Sequence, residues 1–181
     1  MTAEGASDDQ GAATPDPDGA ARAIERVVLD AVAATGEPFD VIEVDPALAD
    51  TAAFCAHYGY PPELSGNCIV VASKDDPPVL AACLALATTK LDVNSVVRRR
   101  LGVRKASFAP AELTRAATGM EIGGVTPFGL PADLPLWADE RIAALDRVIV
   151  GGGSRSIKLL VTPAALAAVG AEFVPDLARP L

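Results

Sequence analysis

The 181-residue chain predicts a single mixed α/β (α+β) domain, and three observations carry that reading. Hydrophobic residues make up 50% of the chain, enough for one well-buried core and short of two. Aromatics are only 4%, so the core is built from Val, Ile, Leu and Ala; short runs of the β-branched residues point to strands, and Ala-rich stretches point to helices. Glycine- and proline-rich connections then separate the two kinds of segment, most densely over 118–130 and 151–156.

In chain order, residues 1–20 carry Glu4, Asp8, Asp9, Asp16 and Asp18 with no basic residue and little to bury, which predicts a disordered acidic tail. The tail holds five of the nine net negative charges, so the domain, residues 21–181, is less acidic than the total suggests. The tail lacks the basic start and apolar run of a signal peptide, and no apolar stretch reaches the roughly 20 residues of a membrane span, so a cytoplasmic protein without membrane association is expected.

Ile24, Val27, Val28 and Ala31 fall at helical spacing within 20–34, with Gly36 past the end. Residues 39–44 alternate as a half-exposed strand. Asp45-Pro46 opens a helix over 47–58 by an N-cap followed by proline at the first helical position. Residues 68–73 and 79–87 are near-continuous apolar runs around a turn of charges and prolines, the pattern of a hairpin buried on both faces. A helix over 92–101 capped by Asp92, a short strand over 105–108 and a short helix over 109–117 follow. Beyond the first glycine-rich loop come an extended segment at 135–138, a short helix at 139–145, a strand at 147–150, the second loop, a strand at 157–161 and a helix opened by Thr162-Pro163.

Several chemistries are disfavoured. Cys55, Cys68 and Cys83 show no C-x-x-C spacing and read as small buried hydrophobes, and the only histidine, His57, lies two residues from Cys55 on a different helix face. Neither glycine-rich loop matches a phosphate-binding motif, and there is no G-x-S-x-G elbow. Two glycine-rich loops flanked by strands nevertheless signal a pocket, because glycine lets backbone approach a neighbour or a ligand closely. Arg98, Arg99, Arg100, Arg104 and Lys105 place five basic residues in eight, more than a helix end needs, and make a candidate surface for tRNA phosphate.

The order of elements, with Thr118-Gly119-x-x-x-Gly123-Gly124-Val125-x-Pro127-Phe128-Gly129-Leu130, Asp139 and Gly-Gly-x-Ser-Arg-Ser, resembles the YbaK-like aminoacyl-tRNA deacylases associated with prolyl-tRNA synthetase, over roughly 40–177. The resemblance implies a mixed, β-barrel-like sheet surrounded by helices, and hydrolysis of the ester between a wrong amino acid and a tRNA 3′ end. It implies no metal and no cofactor, with tRNA and an aminoacyl-tRNA synthetase as partners. It sets Asn67, Gly124 and Thr126 at the reacting ester. Gly123, Val125, Pro127, Phe128, Gly129, Asp139, Gly151, Gly152, Ser154 and Ser156 are expected to line the substrate pocket, with Asp139 either such a residue or simply the N-cap of the next helix. One departure stands out: the family carries a lysine where this chain has Asn67, and Lys74 and Lys90 lie at strand ends. Two readings therefore stand, a deacylase and a non-catalytic module that binds the aminoacyl or adenosine end of tRNA.

Overall fold

The structure is a computed structural model that describes residues 17–181. The chain runs α1 (Pro17–Ala33), β1 (Phe39–Glu43), α2 (Thr51–Tyr58), β2 (Gly66–Ser73), β3 (Leu80–Leu86), β4 (Thr89–Leu91), α3 (Arg98–Leu101), β5 (Ala106–Phe108), α4 (Ala111–Thr118), β6 (Leu136–Asp139), β7 (Val148–Gly151), β8 (Ile157–Val161), α5 (Pro163–Ala168), β9 (Glu172–Val174) and β10 (Ala178–Pro180). The helix expected from residue 20 begins at Pro17, so the last residues of the expected tail are helical; the rest of that tail lies outside the described residues.

The mixed α/β expectation holds. A five-stranded sheet in the order β5-β2-β3-β6-β9 is centred on the β2–β3 hairpin, with β6 parallel to both β3 and β9. Strands β1, β8 and β7 form an antiparallel three-stranded sheet, and β10 pairs with β4. The sheets do not merge into one closed barrel; a single parallel bridge between Ser65 and Ile149 joins the start of β2 to β7.

Alternation along the central strands splits the core in two. On one face Ala82, Leu84 and Leu86 pack with Val28 and Val32 of α1, Phe128, Leu159 and Leu166. On the other, Val71, Ala81 and Cys83 pack with Val97, Trp137 and Leu177. The hairpin is thus buried on both sides, as its unbroken apolar runs require. Val28 and Val32 are fully buried, each worth about 2 kcal/mol, and they anchor α1 by its apolar stripe. Burial pushes the Cys83 thiol up to about 12, against a smaller opposing effect of Arg100, and burial likewise raises Cys68, so both thiols are unreactive core residues.

Local polar chemistry reshapes three expected helices, interrupting the first and changing the helix type of the other two. The Asp45 carboxylate accepts from Ala47 N at 2.9 Å, but the turn it caps is a 3-10 turn over Pro46–Leu48, and α2 starts afresh at Thr51. Asp92 accepts from Ser95 N, and the segment begins as a π-helical turn over Val93–Val97 before α3. Asp139 caps a 3-10 turn over Glu140–Ala144. Strands β4, β9 and β10, three residues each, were not foreseen, although the equally short β5 was expected over 105–108.

Asp139 is fully buried and does much to hold this end of the fold. Its carboxylate accepts from Arg141 N at 3.0 Å, from the Arg141 guanidinium at 3.0 Å, and from Ala178 N at 2.8 Å, fixing β10 to β6. Asp139→Ala leaves the buried Ala178 N–H without its acceptor, while the partly exposed Arg141 guanidinium keeps Ala178 O; the expected cost is about 2 kcal/mol, read as a lower urea midpoint with an unchanged m-value. Asp139→Asn, which keeps an acceptor, should lose less.

Candidate active site

The two glycine-rich loops lie against each other. Glu121 N donates to Gly153 O at 2.9 Å and Gly153 N donates to Gly124 O at 2.7 Å. A Cβ on Gly124 would overlap the Ser154 backbone, and one on Gly151 would overlap the carbonyls of Gly124 and Val125. Glycine at these two positions is required by backbone meeting backbone. The second loop is tied further: Ser154 Oγ donates to the Glu25 carboxylate of α1 and accepts from Ser156 N, and Arg155 N donates to Glu121 Oε2 at 2.9 Å.

Beside this seam opens a cleft of about 370 Å³, within the usual size range of small-ligand sites. Its walls are the first half of β2, the Ala49–Thr51 turn, the start of α4, and Ile122, Gly123, Val125 and Gly151 of the loops. Asn67 is on the β2 wall, and Thr51 Oγ1 donates to its Oδ1 at 2.7 Å. With the amide oxygen engaged in this assignment, both amide N–H donors remain for a ligand. Gly123 and Val125 line the cleft, and their backbone N–H groups make no hydrogen bond among the described residues. Arg155 straps the mouth, donating to Pro46 O at 3.0 Å and to Asp50 Oδ1 at 3.3 Å.

Several lining residues were not expected from the sequence, among them Asp50, Thr51 and, carrying a buried charge, Lys158. Lys158 is the second residue of β8, paired to Ile42 on one side and Gly151 on the other, and it is only 8% exposed. Its ammonium sits 5.1 Å from the centroid of the buried Phe54 ring. Burial lowers its pKa, opposed by Cys55 and Asp50 and assisted by Arg155. The signal was present as a lone charge in an otherwise apolar strand directly after a glycine-rich loop, where the expected reading ended at Ser156. Lys74 and Lys90 are exposed and do not line the cleft.

Of the residues expected at the pocket, the structure brings Asn67, Gly123, Val125 and Gly151 together around the cleft. Gly124 and Ser154 meet in the seam behind it, with the Gly124 carbonyl taken up by Gly153, while Gly152 packs on Ile157 and Ser156 N donates to Ser154 Oγ. Thr126 is fully buried, its N–H on Met120 Sδ and its hydroxyl unpartnered among the described residues, so it does not reach the cleft. Pro127 and Phe128 are buried, Phe128 in the core, and Gly129 faces a separate groove. Asp139 serves as cap and ion-pair partner instead of a pocket residue.

The basic cluster is also divided. Arg98 donates to Asn94 O and Arg104 O, while Arg100 pairs with Glu172 and lies 5.0 Å from the Trp137 ring centroid. Arg99, Arg104 and Lys105 are exposed and form no ion pair among the described residues. His57 is exposed and outside the cleft.

The class these features define is an α/β domain with an open cleft lined by hydrogen-bond donors. The chain belongs to the aminoacyl-tRNA editing domain family, whose model matches residues 45–169. Over 80 residues it is 34% identical to the uncharacterized protein YwhH of Bacillus subtilis (strain 168), a match that takes in 44% of this chain and half of that protein's length. Solved structures share the fold. That of a candidate trans-editing enzyme for prolyl tRNA synthetase has a TM-score of 0.72 at 23% identity, over 90% of this chain and 98% of that one. The hypothetical protein APE2540 has a TM-score of 0.74 at 22% identity, over 84% and 99%.

The seam makes a direct prediction. Gly124→Ala forces the loops apart and is expected to destabilise the domain by about 1–3 kcal/mol in urea unfolding, whereas Gly170→Ala, with open space around its Cβ and only its backbone conformation to strain, should cost less.

Proposed function

We propose that this domain is an aminoacyl-tRNA deacylase, hydrolysing the ester that joins an incorrect amino acid to the 3′ end of a tRNA. The observation that carries the reading is the cleft itself: in a chain of the editing-domain family, it offers Asn67, Gly123 and Val125 N–H donors around a space suited to an aminoacyl group. Hydrolysis of this ester needs a water aimed at the carbonyl carbon and donors for the oxygen that becomes negative. The cleft supplies the donors. It holds no histidine, and its carboxylate, Asp50, is engaged by Arg155, so the substrate's own vicinal ribose hydroxyl is the group we assign to orient the water.

The terminal adenosine would lie along the loop seam, and the acceptor stem would extend toward Arg99, Arg104 and Lys105. Strand β5 links that basic edge to Ala109 in the cleft wall, four residues or about 13 Å away. The exposed charges then contribute to tRNA affinity without touching the reacting ester. The likeness to a candidate trans-editing enzyme for prolyl tRNA synthetase makes tRNA for proline, and that synthetase as a cytoplasmic partner, the first to test.

Incubating the protein with a panel of mischarged tRNAs, including alanyl- and cysteinyl-tRNA for proline, should release the amino acid from at least one pair faster than buffer alone. Binding of tRNA without turnover of any pair would instead establish the non-catalytic module. Arg104→Glu combined with Lys105→Glu should raise KM for tRNA and flatten its salt dependence by roughly one log unit per lost phosphate contact, with hydrolysis of a minimal aminoacyl-adenosine ester unchanged.

A further inference from the structure

We infer that Lys158 is a catalytic residue of the cleft, its ammonium donating a hydrogen bond to the ester carbonyl oxygen as that oxygen becomes an oxyanion. The inference rests on the deacylase reading and names the charged group that reading otherwise lacks. Three observations support it. Lys158 lines the cleft although its side chain is almost wholly buried. Among the described residues its Nζ makes no hydrogen bond and no salt bridge, yet it is not sealed off, since Thr126 Oγ1 is the only buried side-chain polar atom without a partner. The other cation at the mouth, Arg155, is committed to Asp50 and to the carbonyls of Pro46 and Ile122.

A buried ammonium without a direct salt bridge is costly, and such groups concentrate at functional sites. Here the Phe54 ring face offsets part of the cost while leaving the N–H donors unspent. Phe54 is fixed in turn by stacking on Tyr60, with ring centroids 5.3 Å apart, so the ammonium is held on a rigid support. The remaining donors of the cleft, the Asn67 amide and the Gly123 and Val125 N–H groups, are neutral. Lys158 therefore adds the one full positive charge available to a developing negative one, in a partly desolvated site where that charge acts strongly.

In the reaction, water adds to the carbonyl carbon and the C=O electron pair moves to oxygen, where Lys158 meets it. The intermediate then collapses, the bond to the ribose oxygen breaks, and the proton lost by the water passes to that oxygen through the vicinal hydroxyl. The products are the free amino acid and tRNA with its terminal hydroxyl restored. Lys158 keeps its proton throughout.

The lysine must be charged to act. The groups facing it are Cys55 of α2, Asp50 of the preceding turn and Arg155 of the second loop. Because burial holds its pKa below the ordinary lysine value, its contribution is complete at low pH and is lost as pH rises through that lowered pKa.

The test measures single-turnover and steady-state deacylation by the wild type, Lys158→Met and Lys158→Arg, with melting curves for each. The expected result is a loss of about 10²- to 10³-fold in kcat for Lys158→Met with KM changed little, and partial rescue by Lys158→Arg. The alkaline loss of the wild-type rate, after subtraction of uncatalysed hydrolysis, should disappear in Lys158→Arg, whose guanidinium stays protonated. An active wild type with an undiminished Lys158→Met, or one changed only in KM, overturns the role of Lys158 and leaves the deacylase reading standing. A wild type inactive on every mischarged pair overturns the deacylase reading, and the role of Lys158 with it. Should Lys158→Met melt early, Lys158→Gln and the pH profile of Lys158→Arg decide the matter, since a purely structural lysine would leave the alkaline limb in place.

Discussion

The direct backbone contact between two glycine-rich loops is the constraint on which the rest of the structure depends. Gly124 and Gly151 carry no side chain because each would occupy the other loop's main chain, and the pair of hydrogen bonds through Gly153 closes the seam. Everything functional is positioned from it. Gly123 and Val125 reach the cleft because Gly124 is pinned behind them, and Lys158 reaches it because β8 begins where the second loop ends. Helix α1 joins the same arrangement through Glu25 and Ser154, so a helix remote in sequence braces the loop against the sheet.

The cleft divides its tasks between rigid and adaptable groups. Its donors come from backbone and from Asn67, whose amide is oriented by Thr51, a residue on the first turn of α2. The acidic groups nearby are already spoken for: Asp50 by Arg155 and Glu121 by the Arg155 main chain. A site lined by Asn67 and Lys158, whose nearby carboxylate Asp50 is already paired, favours a ligand that carries or gains negative charge. The acidity of the whole chain conceals this, because net charge sums over surfaces that never meet the ligand.

Much of the architecture was legible in the residues. The central hairpin, the capped turns and both loops announce themselves through unbroken apolar runs, Asp-Pro and Thr-Pro pairs, and clustered glycine. Three strands were not legible: β9 is paired by β6, β10 is held by Asp139, and β4 is paired by β10, so each depends on a tertiary partner remote in sequence. The candidate site was half legible. Clustered glycine marked where the loops lie, but glycine serves equally for touching a ligand and for touching another loop, and Gly124, Gly152 and Phe128 turned out to serve packing. Lys158 was marked in the sequence only as a lone charge in an apolar strand, and its place beside β2 in the cleft wall comes from the fold.

The pairing of β1 with β8 has a consequence for how the molecule comes into being. Phe39 finds Val161 more than a hundred residues later, and β3 waits for β6, which waits for β9. Such a topology is dominated by remote contacts and is slow to form, with the early hairpin exposed until its later neighbours arrive. The cleft, built from β2, β8 and both loops, is therefore among the last parts to exist. A partly folded chain has no cleft, so ligand binding and complete folding arrive together.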